Sequence, residues 1–233
     1  MPNYLALVPA AGTGSRIGGG MPKQYQSLGG RPMLFHALRA LHRHPRIARV
    51  HVVLSRDDAW FERFDWREFG EALDVLRCGG DSRARSVLNG LLALSGKVGA
   101  DDRVLVHDAA RPCLTPAAID RLIAEAGDDP AGGLLAEPLA DTLKRAGDDG
   151  RIVRTEPREG LWRAQTPQMF GYALLLKALQ QGTLEGVTDE ASAVERLGLR
   201  PRLVRSGATN LKVTYGEDLR LAEQILQSQA GQA

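Results

Sequence analysis

"PAAGTGSRIGGGMPKQY", residues 9–25, follows directly on "YLALV", residues 4–8. The apolar run has strand character, and the glycine-rich stretch after it carries Arg16 and Lys23. A buried strand that empties into a small, cationic loop is how an α/β sheet builds a phosphate cradle. Several unrelated cradles exist, and spacing separates them. A Walker A loop ends in Gly-Lys-Ser/Thr, whereas Lys23 sits between Pro22 and Gln24, so that reading fails. A dinucleotide fingerprint, Gly-x-Gly-x-x-Gly, matches at Gly12 and Gly14 but meets Ile17 at the third position. The next strand ends Leu54-Ser55-Arg56, with no acid to hold a ribose, so that reading is weak too. A third reading fits better. Pro9, Ala10 and Ala11 are small enough for a flat base to approach the backbone. Gly12 and Gly14 can take positive φ and turn N–H groups toward phosphate oxygens. Arg16 and Lys23 then place positive charge on both sides of a triphosphate, as stabilisation of a leaving pyrophosphate requires. The bland alternative is a surface turn with solvated cations, and the buried strand immediately before the loop argues against it.

Outward from this loop, apolar β-branched runs alternate with segments of helical period. "RPMLFHALRALHRHP" (31–45) puts Leu34, Leu38 and Leu41 on one face. "RVHVVLS" (49–55) and "DVLRCGG" (74–80) read as strands, and "SRARSVLNGLLALSG" (82–96) as a helix that Ser82 can cap. "RVLVHDAARP" (103–112) is a buried strand ending in an acid, and "TPAAIDRLIAEAG" (115–127) a helix with a Thr cap and Pro in its first turn. Such alternation implies an α/β fold: a Rossmann-like, mainly parallel sheet with helices on both faces. Ligands bind such sheets beyond the carboxyl ends of the strands, which gathers the opening loop, Gly79-Gly80-Asp81 and His107-Asp108 on one rim.

The pattern breaks at "TLKRAGDDGRIVRTEP" (142–157), two short strand-like runs around a Gly-Asp-Asp-Gly turn. It offers little apolar surface to a core. A projecting β-arm spanning about 138–160 is therefore expected, either docking on a partner subunit to make a homodimer or forming a solvated flap. "YALLLKALQQG" (172–182) is a helix, "RLVRSG" and "NLKVT" read as strands, and a last helix starts at Glu217.

The bulk numbers narrow the class. At 233 residues, 43% hydrophobic and 25% charged, the chain fits a single domain (1–233) with that arm as its excursion. A net charge of +2 predicts no nucleic-acid partner. No run reaches the length of a membrane helix and no export signal opens the chain, so a cytoplasmic protein without membrane contact is expected. Cys78 and Cys113 read as reduced thiols of a cytosolic protein. The histidines show no metal-binding spacing and predict no zinc site. Asp108 differs: a carboxylate at a strand end beside small residues suits Mg²⁺, the cofactor expected of triphosphate chemistry. The alternative is a capping or salt-bridged Asp. His107 is either a participant or only a packed neighbour.

The opening loop, "GGDSRARSVLNGL", "VLVHDAARPCLT", "LWRAQTPQMF", "TDEASAVE" and "NLKVT" stand in one order along nearly the whole chain. Together they resemble the 2-C-methyl-D-erythritol 4-phosphate cytidylyltransferase family of the non-mevalonate isoprenoid pathway, within the nucleotidyltransferases that act on sugar and polyol phosphates. The small departures are Leu211 for a common Ile and Gly216 for a common Pro. The resemblance implies the nucleotide-diphospho-sugar transferase type of fold. It implies that Gly79, Gly80, Asp81 and Ser86 recognise the cytosine base, with Ala109 also on CTP. Glycines let carbonyls reach an exocyclic amine, although Ser86 can equally be an ordinary helix serine. It further implies that Asp108, Arg111, Thr142, Arg158, Thr166 and Thr188 hold the polyol phosphate. Thr142 and Arg158, at the feet of the arm, would serve the neighbouring subunit, and Thr188 equally suits a helix N-cap. Lys212 joins Arg16 and Lys23 as a catalytic cation, unless it simply faces outward. The implied activity is in-line transfer of CMP from CTP to 2-C-methyl-D-erythritol 4-phosphate, giving 4-diphosphocytidyl-2-C-methyl-D-erythritol and pyrophosphate. Ribitol 5-phosphate as acceptor, and a non-catalytic nucleotide-binding domain, are the alternatives. The weak dinucleotide fingerprint argues against NAD(P) binding, and the retained charges Arg16, Lys23, Asp108 and Lys212 argue against a sensor.

Overall fold

The structure is a computed structural model describing residues 2–12 and 20–231; Gly14 and Arg16 lie outside the described residues. In chain order the regular elements are β1 (Tyr4–Pro9), β2 (Ser27–Leu28), β3 (Arg31–Pro32), α1 (Met33–His42), β4 (Ile47–Val53), β5 (Leu73–Leu76), α2 (Arg83–Ala93), β6 (Arg103–Val106) and α3 (Pro116–Ala126). There follow β7 (Gly133–Pro138), β8 (Leu143–Ala146), β9 (Ile152–Glu156), β10 (Trp162–Gly171), α4 (Tyr172–Gln180), α5 (Glu190–Glu195), β11 (Arg202–Arg205) and α6 (Gly216–Ala230). Seven strands form one sheet in the order β11-β7-β10-β6-β1-β4-β5. Only β10 runs against the rest, pairing antiparallel with both β6 and β7. The Rossmann-like, mainly parallel sheet is thus present with one reversed strand.

β1 shows why both faces are covered. Its side chains alternate, so Tyr4, Ala6 and Val8 pack with Leu34, Leu38 and Leu41 of α1 and Ile119 and Leu122 of α3. Leu5 and Leu7 point the other way, toward Val87 and Leu91 of α2 and Leu175 and Leu179 of α4. Each face is a buried apolar layer, as a strand run without polar alternation demands. α6 closes a third, smaller cluster in which Ala222 meets Met33, Cys113 and Val213.

Local signals set the helix starts. Ser82 caps α2 by accepting the Arg85 N–H at 3.1 Å, and Thr115 caps α3 with Pro116 behind it. At α5 the cap is Asp189, which accepts the Ser192 N–H, so Thr188 lies one residue before the cap and not in it. A second correction concerns "NLKVT", which belongs to no strand. β11 is the sheet's edge and has no further partner, and the Val213 N–H instead donates to the Ala110 carbonyl. The segment runs extended beside the loop after β6 and delivers Lys212 to the strand ends.

β8 and β9 pair only with each other, as the hairpin reading expects. The hairpin exposes Ile152 (65%) and Val153 (63%).

Candidate active site

β1 has β4 on one side and β6 on the other, so the chain's path along the sheet reverses there. That switch point opens a crevice past the strand ends. A cleft of about 480 Å³ fills it, lined by Pro9–Gly12, Lys23, Gln24, Gly80–Arg83, Ser86, Asp108–Ala110 and Lys212. Residues far apart in sequence meet because each stands at the carboxyl end of a strand, in the segment that follows it, or, like Arg83 and Ser86, in the opening turns of a helix that starts there.

The nucleotide-side shelf depends on close backbone approach. An added Cβ on Gly79 would lie 2.3 Å from the Ala11 Cβ and 2.8 Å from the Leu54 carbonyl oxygen, so only glycine fits. Gly12 meets no such crowding among the described residues and does not adopt the left-handed φ expected of it. Its conformation is held from outside: Gln24 Nε2 donates to the carbonyls of Ala10 (2.8 Å) and Gly12 (3.0 Å). Gln24 is buried in the single 3-10 turn Lys23–Tyr25. Tyr25 anchors that turn by donating to Asp58 at 2.8 Å and stacking on Phe64. Lys23 Nζ donates to the Val213 carbonyl, which ties the opening loop to the Lys212 segment.

Ser86 lines the cleft, but its hydroxyl is occupied. It accepts the Gly80 N–H at 3.0 Å and donates to the Ser82 carbonyl at 2.9 Å. Ser86 therefore shapes the Gly80-Asp81 turn.

Asp108 lies two residues past β6 on the cleft floor. Arg83 Nε donates to its Oδ1 at 2.8 Å and Lys212 Nζ to its Oδ2 at 2.7 Å. Burial works to raise the Asp108 carboxyl, but the Arg83 guanidinium and the Lys212 ammonium prevail and hold it well below the usual carboxylate range. Glu190, fully buried at the start of α5, takes the other end of Arg83 at 2.6 and 3.0 Å. Burial acts to lower the Arg83 guanidinium, yet the two carboxylates raise it above its ordinary value. Burial pushes the Glu190 carboxyl up, and the two short bonds from Arg83 act against that and favour the ionised form.

Behind Asp108 runs a neutral chain. The Asp108 N–H donates to Thr166 Oγ1 at 3.0 Å, and Thr166 lies 3.0 Å from His107 Nδ1. His107 Nε2 faces the Arg111 carbonyl at 3.0 Å, so the ring carries its proton on Nε2 and accepts from Thr166 on Nδ1. Burial pushes the imidazole down to about 4. His107 is thus a packed, neutral strut. Arg111 is buried and donates from Nη1 and Nη2 to the carbonyls of Asn210 (2.6 Å) and Ala164 (3.3 Å), while its buried Nε–H has no partner among the described residues.

The sequence-derived residues divide. Pro9, Ala10, Ala11, Gly12, Lys23, Gly80, Asp81, Ser86, Asp108, Ala109 and Lys212 share the cleft. Arg111 and Thr166 support it from beneath. Thr142, Arg158 and Thr188 are exposed and do not line this chain's cleft. Gln24 and Arg83 line the cleft, and Glu190 lies buried behind Arg83, without having been singled out by the sequence. Gln24 follows Lys23 directly, which was the only available signal.

A family model described as "IspD: 2-C-methyl-D-erythritol 4-phosphate cytidylyltransferase" matches residues 4–228. The chain belongs to that family. The curated 2-C-methyl-D-erythritol 4-phosphate cytidylyltransferase of Dechloromonas aromatica is 58% identical over 98% of this chain and 99% of its own. The one from Nitrosospira multiformis is 56% identical over 98% and 99%. A crystal structure titled 4-diphosphocytidyl-2C-methyl-D-erythritol synthase superposes with a TM-score of 0.85 at 42% identity, covering 97% of this chain and 99% of that one. The Thermus thermophilus member gives 0.78 at 30% identity, over 97% and 99%. The family's fold is therefore the one described above, and its chemistry is that of a nucleotidyltransferase. Among the described residues no helix is long and apolar enough to cross a membrane.

Proposed function

We propose that this chain transfers the cytidylyl group of CTP to 2-C-methyl-D-erythritol 4-phosphate, releasing pyrophosphate. The observation that carries this reading is the pairing of Lys212 with Asp108 at 2.7 Å on a cleft floor, facing the Pro9–Gly12 shelf and Gly80-Asp81. One ionised carboxylate, opposed cations and a backbone-lined shelf suit a nucleoside triphosphate.

The chemistry is positioning and charge neutralisation. An acceptor phosphate oxygen bonds to the α-phosphorus as the bond to the β-phosphate oxygen breaks, and that electron pair leaves with pyrophosphate. Lys23 and Arg16 hold the leaving phosphates. Lys212 exchanges Asp108 for the α-phosphate and the incoming phosphate. The base lies on Pro9, Ala10 and Ala11 against the Gly80-Asp81 turn.

A divalent cation, Mg²⁺, fits the donor set. Among the described residues no three His, Cys, Asp or Glu side chains cage a metal, and a single ionised carboxylate joined by phosphate oxygens is how Mg²⁺ is usually held. When bound with CTP the cation supplies charge neutralisation on the triphosphate, and Asp108 is the residue that would hold it.

The catalytic domain works as a homodimer through the hairpin. Support comes from the exposed apolar side chains of Ile152 and Val153 and from Thr142 and Arg158, which flank the hairpin outside this chain's own cleft. The reading assigns Thr142 and Arg158 to the acceptor site of a neighbour, to which that neighbour's own Arg111, Thr166 and Thr188 would belong. A cytoplasmic location fits the unpaired thiols of Cys78 and Cys113.

Pyrophosphate release with CTP or UTP, against methylerythritol phosphate or ribitol phosphate, tests the reading. Release confined to CTP with methylerythritol phosphate is expected. Release with ribitol phosphate alone would overturn the acceptor assignment, and no release with any pair would overturn the activity.

A further inference from the structure

Arg83 joins three parts of the fold. It sits in the first turn of α2, donates through Nε to Asp108 Oδ1, and places both terminal nitrogens on Glu190. Glu190 is only 1% exposed and cannot follow a moving partner. Gln168 of β10 pins the turn on both sides of it. Gln168 Nε2 donates to Asp189 Oδ2 at 2.9 Å, and its Oε1 accepts the Ala191 N–H at 2.8 Å. The Glu190–Arg83–Asp108 line is therefore fastened to the sheet. Lys212, the partner on Asp108 Oδ2, is different: its side chain is 47% exposed and it belongs to an extended segment outside any helix or strand.

The two oxygens of Asp108 thus have unequal holders. Charge makes the inequality useful. Arg83 is neutralised by Glu190, so when Lys212 departs, Asp108 loses its direct partner on Oδ2, keeps only the Arg111 guanidinium beneath the cleft as a further positive neighbour, and turns its negative charge toward the cleft. Were Glu190 neutral, Arg83 would cancel Asp108 and repel a cation. We infer that Glu190 and Arg83 are a positioning pair that keeps Asp108 Oδ1 occupied and turns Oδ2 outward, and that Lys212 holds Oδ2 until a divalent cation arriving with the nucleotide replaces it. The inference rests on the nucleotide reading above. It goes further by giving Asp108 two distinct oxygens and Lys212 two successive partners.

Mn²⁺ binding to the protein with CTP and no acceptor, read by electron paramagnetic resonance, tests this without turnover. CTP affinity in chelator is measured alongside. In Glu190→Gln the Mn²⁺ affinity is expected to fall about tenfold or more, while CTP without metal binds as well as before or better, because Arg83 gains free charge. Glu190→Asp, which keeps the charge, should recover most of the Mn²⁺ affinity. A merely structural Glu190 would move both affinities together or neither, and that result overturns the inference. Should Glu190→Gln not fold, Lys212→Met decides, since its site is half exposed. Mn²⁺ is expected to bind several-fold tighter once the competing ammonium is gone, and unchanged or weaker binding refutes the exchange. Wild-type protein that binds CTP and Mn²⁺ but releases no pyrophosphate would count against the proposed reaction and leave this test intact.

Discussion

Gly79→Ala isolates the role of close backbone packing in the nucleotide shelf. The new methyl would start 2.3 Å from the Ala11 Cβ and 2.8 Å from the Leu54 carbonyl oxygen. Neither neighbour is the end of a flexible chain. Gly79 is also tied to that carbonyl by its own N–H at 2.8 Å. Restoring an ordinary carbon–carbon contact of roughly 3.5 Å therefore requires Ala11 to retreat by about 1 Å. Overpacking of this kind costs about 2 kcal/mol, which in a domain of this size lowers Tm by roughly 4–8 °C. The functional loss should be larger, because a 1 Å misplacement of a binding surface costs on the order of a hundredfold in rate. Differential scanning fluorimetry and steady-state kinetics with CTP as the varied substrate read both quantities. Gly12→Ala is the control, since no described residue lies within 4 Å of its added Cβ and its φ is outside the left-handed region. Gly79→Ala with unchanged Tm and unchanged kcat/KM for CTP would show that Ala11 does not shape the shelf.

Lys23→Ala should lower kcat by about a hundredfold, near 3 kcal/mol of barrier, as expected for one lost cation at a leaving phosphate. Near-normal kcat in a pyrophosphate-release assay would remove Lys23 from the mechanism. Deleting the hairpin, residues 143–156, should convert dimer to monomer in sedimentation and abolish turnover. Mixing an Arg158→Ala protein with a Lys212→Ala protein should restore activity if sites are shared between subunits, and no restoration would place Arg158 outside a shared site. His107 should stay neutral down to about pH 4. Its folded value lies below that of the unfolded chain, so the unfolded state takes up the proton first. Stability is then present above pH 6.5 and falls by roughly 3 kcal/mol between pH 6.5 and 4. An imidazole titrating near pH 6.5 by NMR would contradict the buried strut.

Elements were legible where one period ran unopposed. α1, α2 and α3 carry apolar residues on one face, with Ser82 and Thr115 capping the last two, and β1 and β6 are too apolar to face water. The hairpin was legible from its turn. "NLKVT" misled because alternation alone says nothing about a pairing partner, and the neighbouring β11 already closes the sheet. Thr188 misled because two adjacent residues can both cap, and only the backbone chooses Asp189.

The site divides along another line. Lys23 and Asp108 could be singled out because a lone charge beside glycines or at a buried strand end needs a purpose, whereas Lys212 came from the family resemblance of "NLKVT". Arg83 could not, since "SRARSV" offers Arg83 and Arg85 on one amphipathic helix and both look like solvated surface. Glu190 reads as a favourable acid in a helix's first turn, which is sufficient local reason for it to be there. Their meaning lies in a contact spanning 107 positions. What selects Arg83 is geometry: among the described residues it alone pairs with both a carboxylate on the loop after β6 and another on α5. The charge pattern of the cleft is therefore a property of where the strands end. A phosphate site whose visible cations lie on loops can depend for its sign on an acid buried behind them.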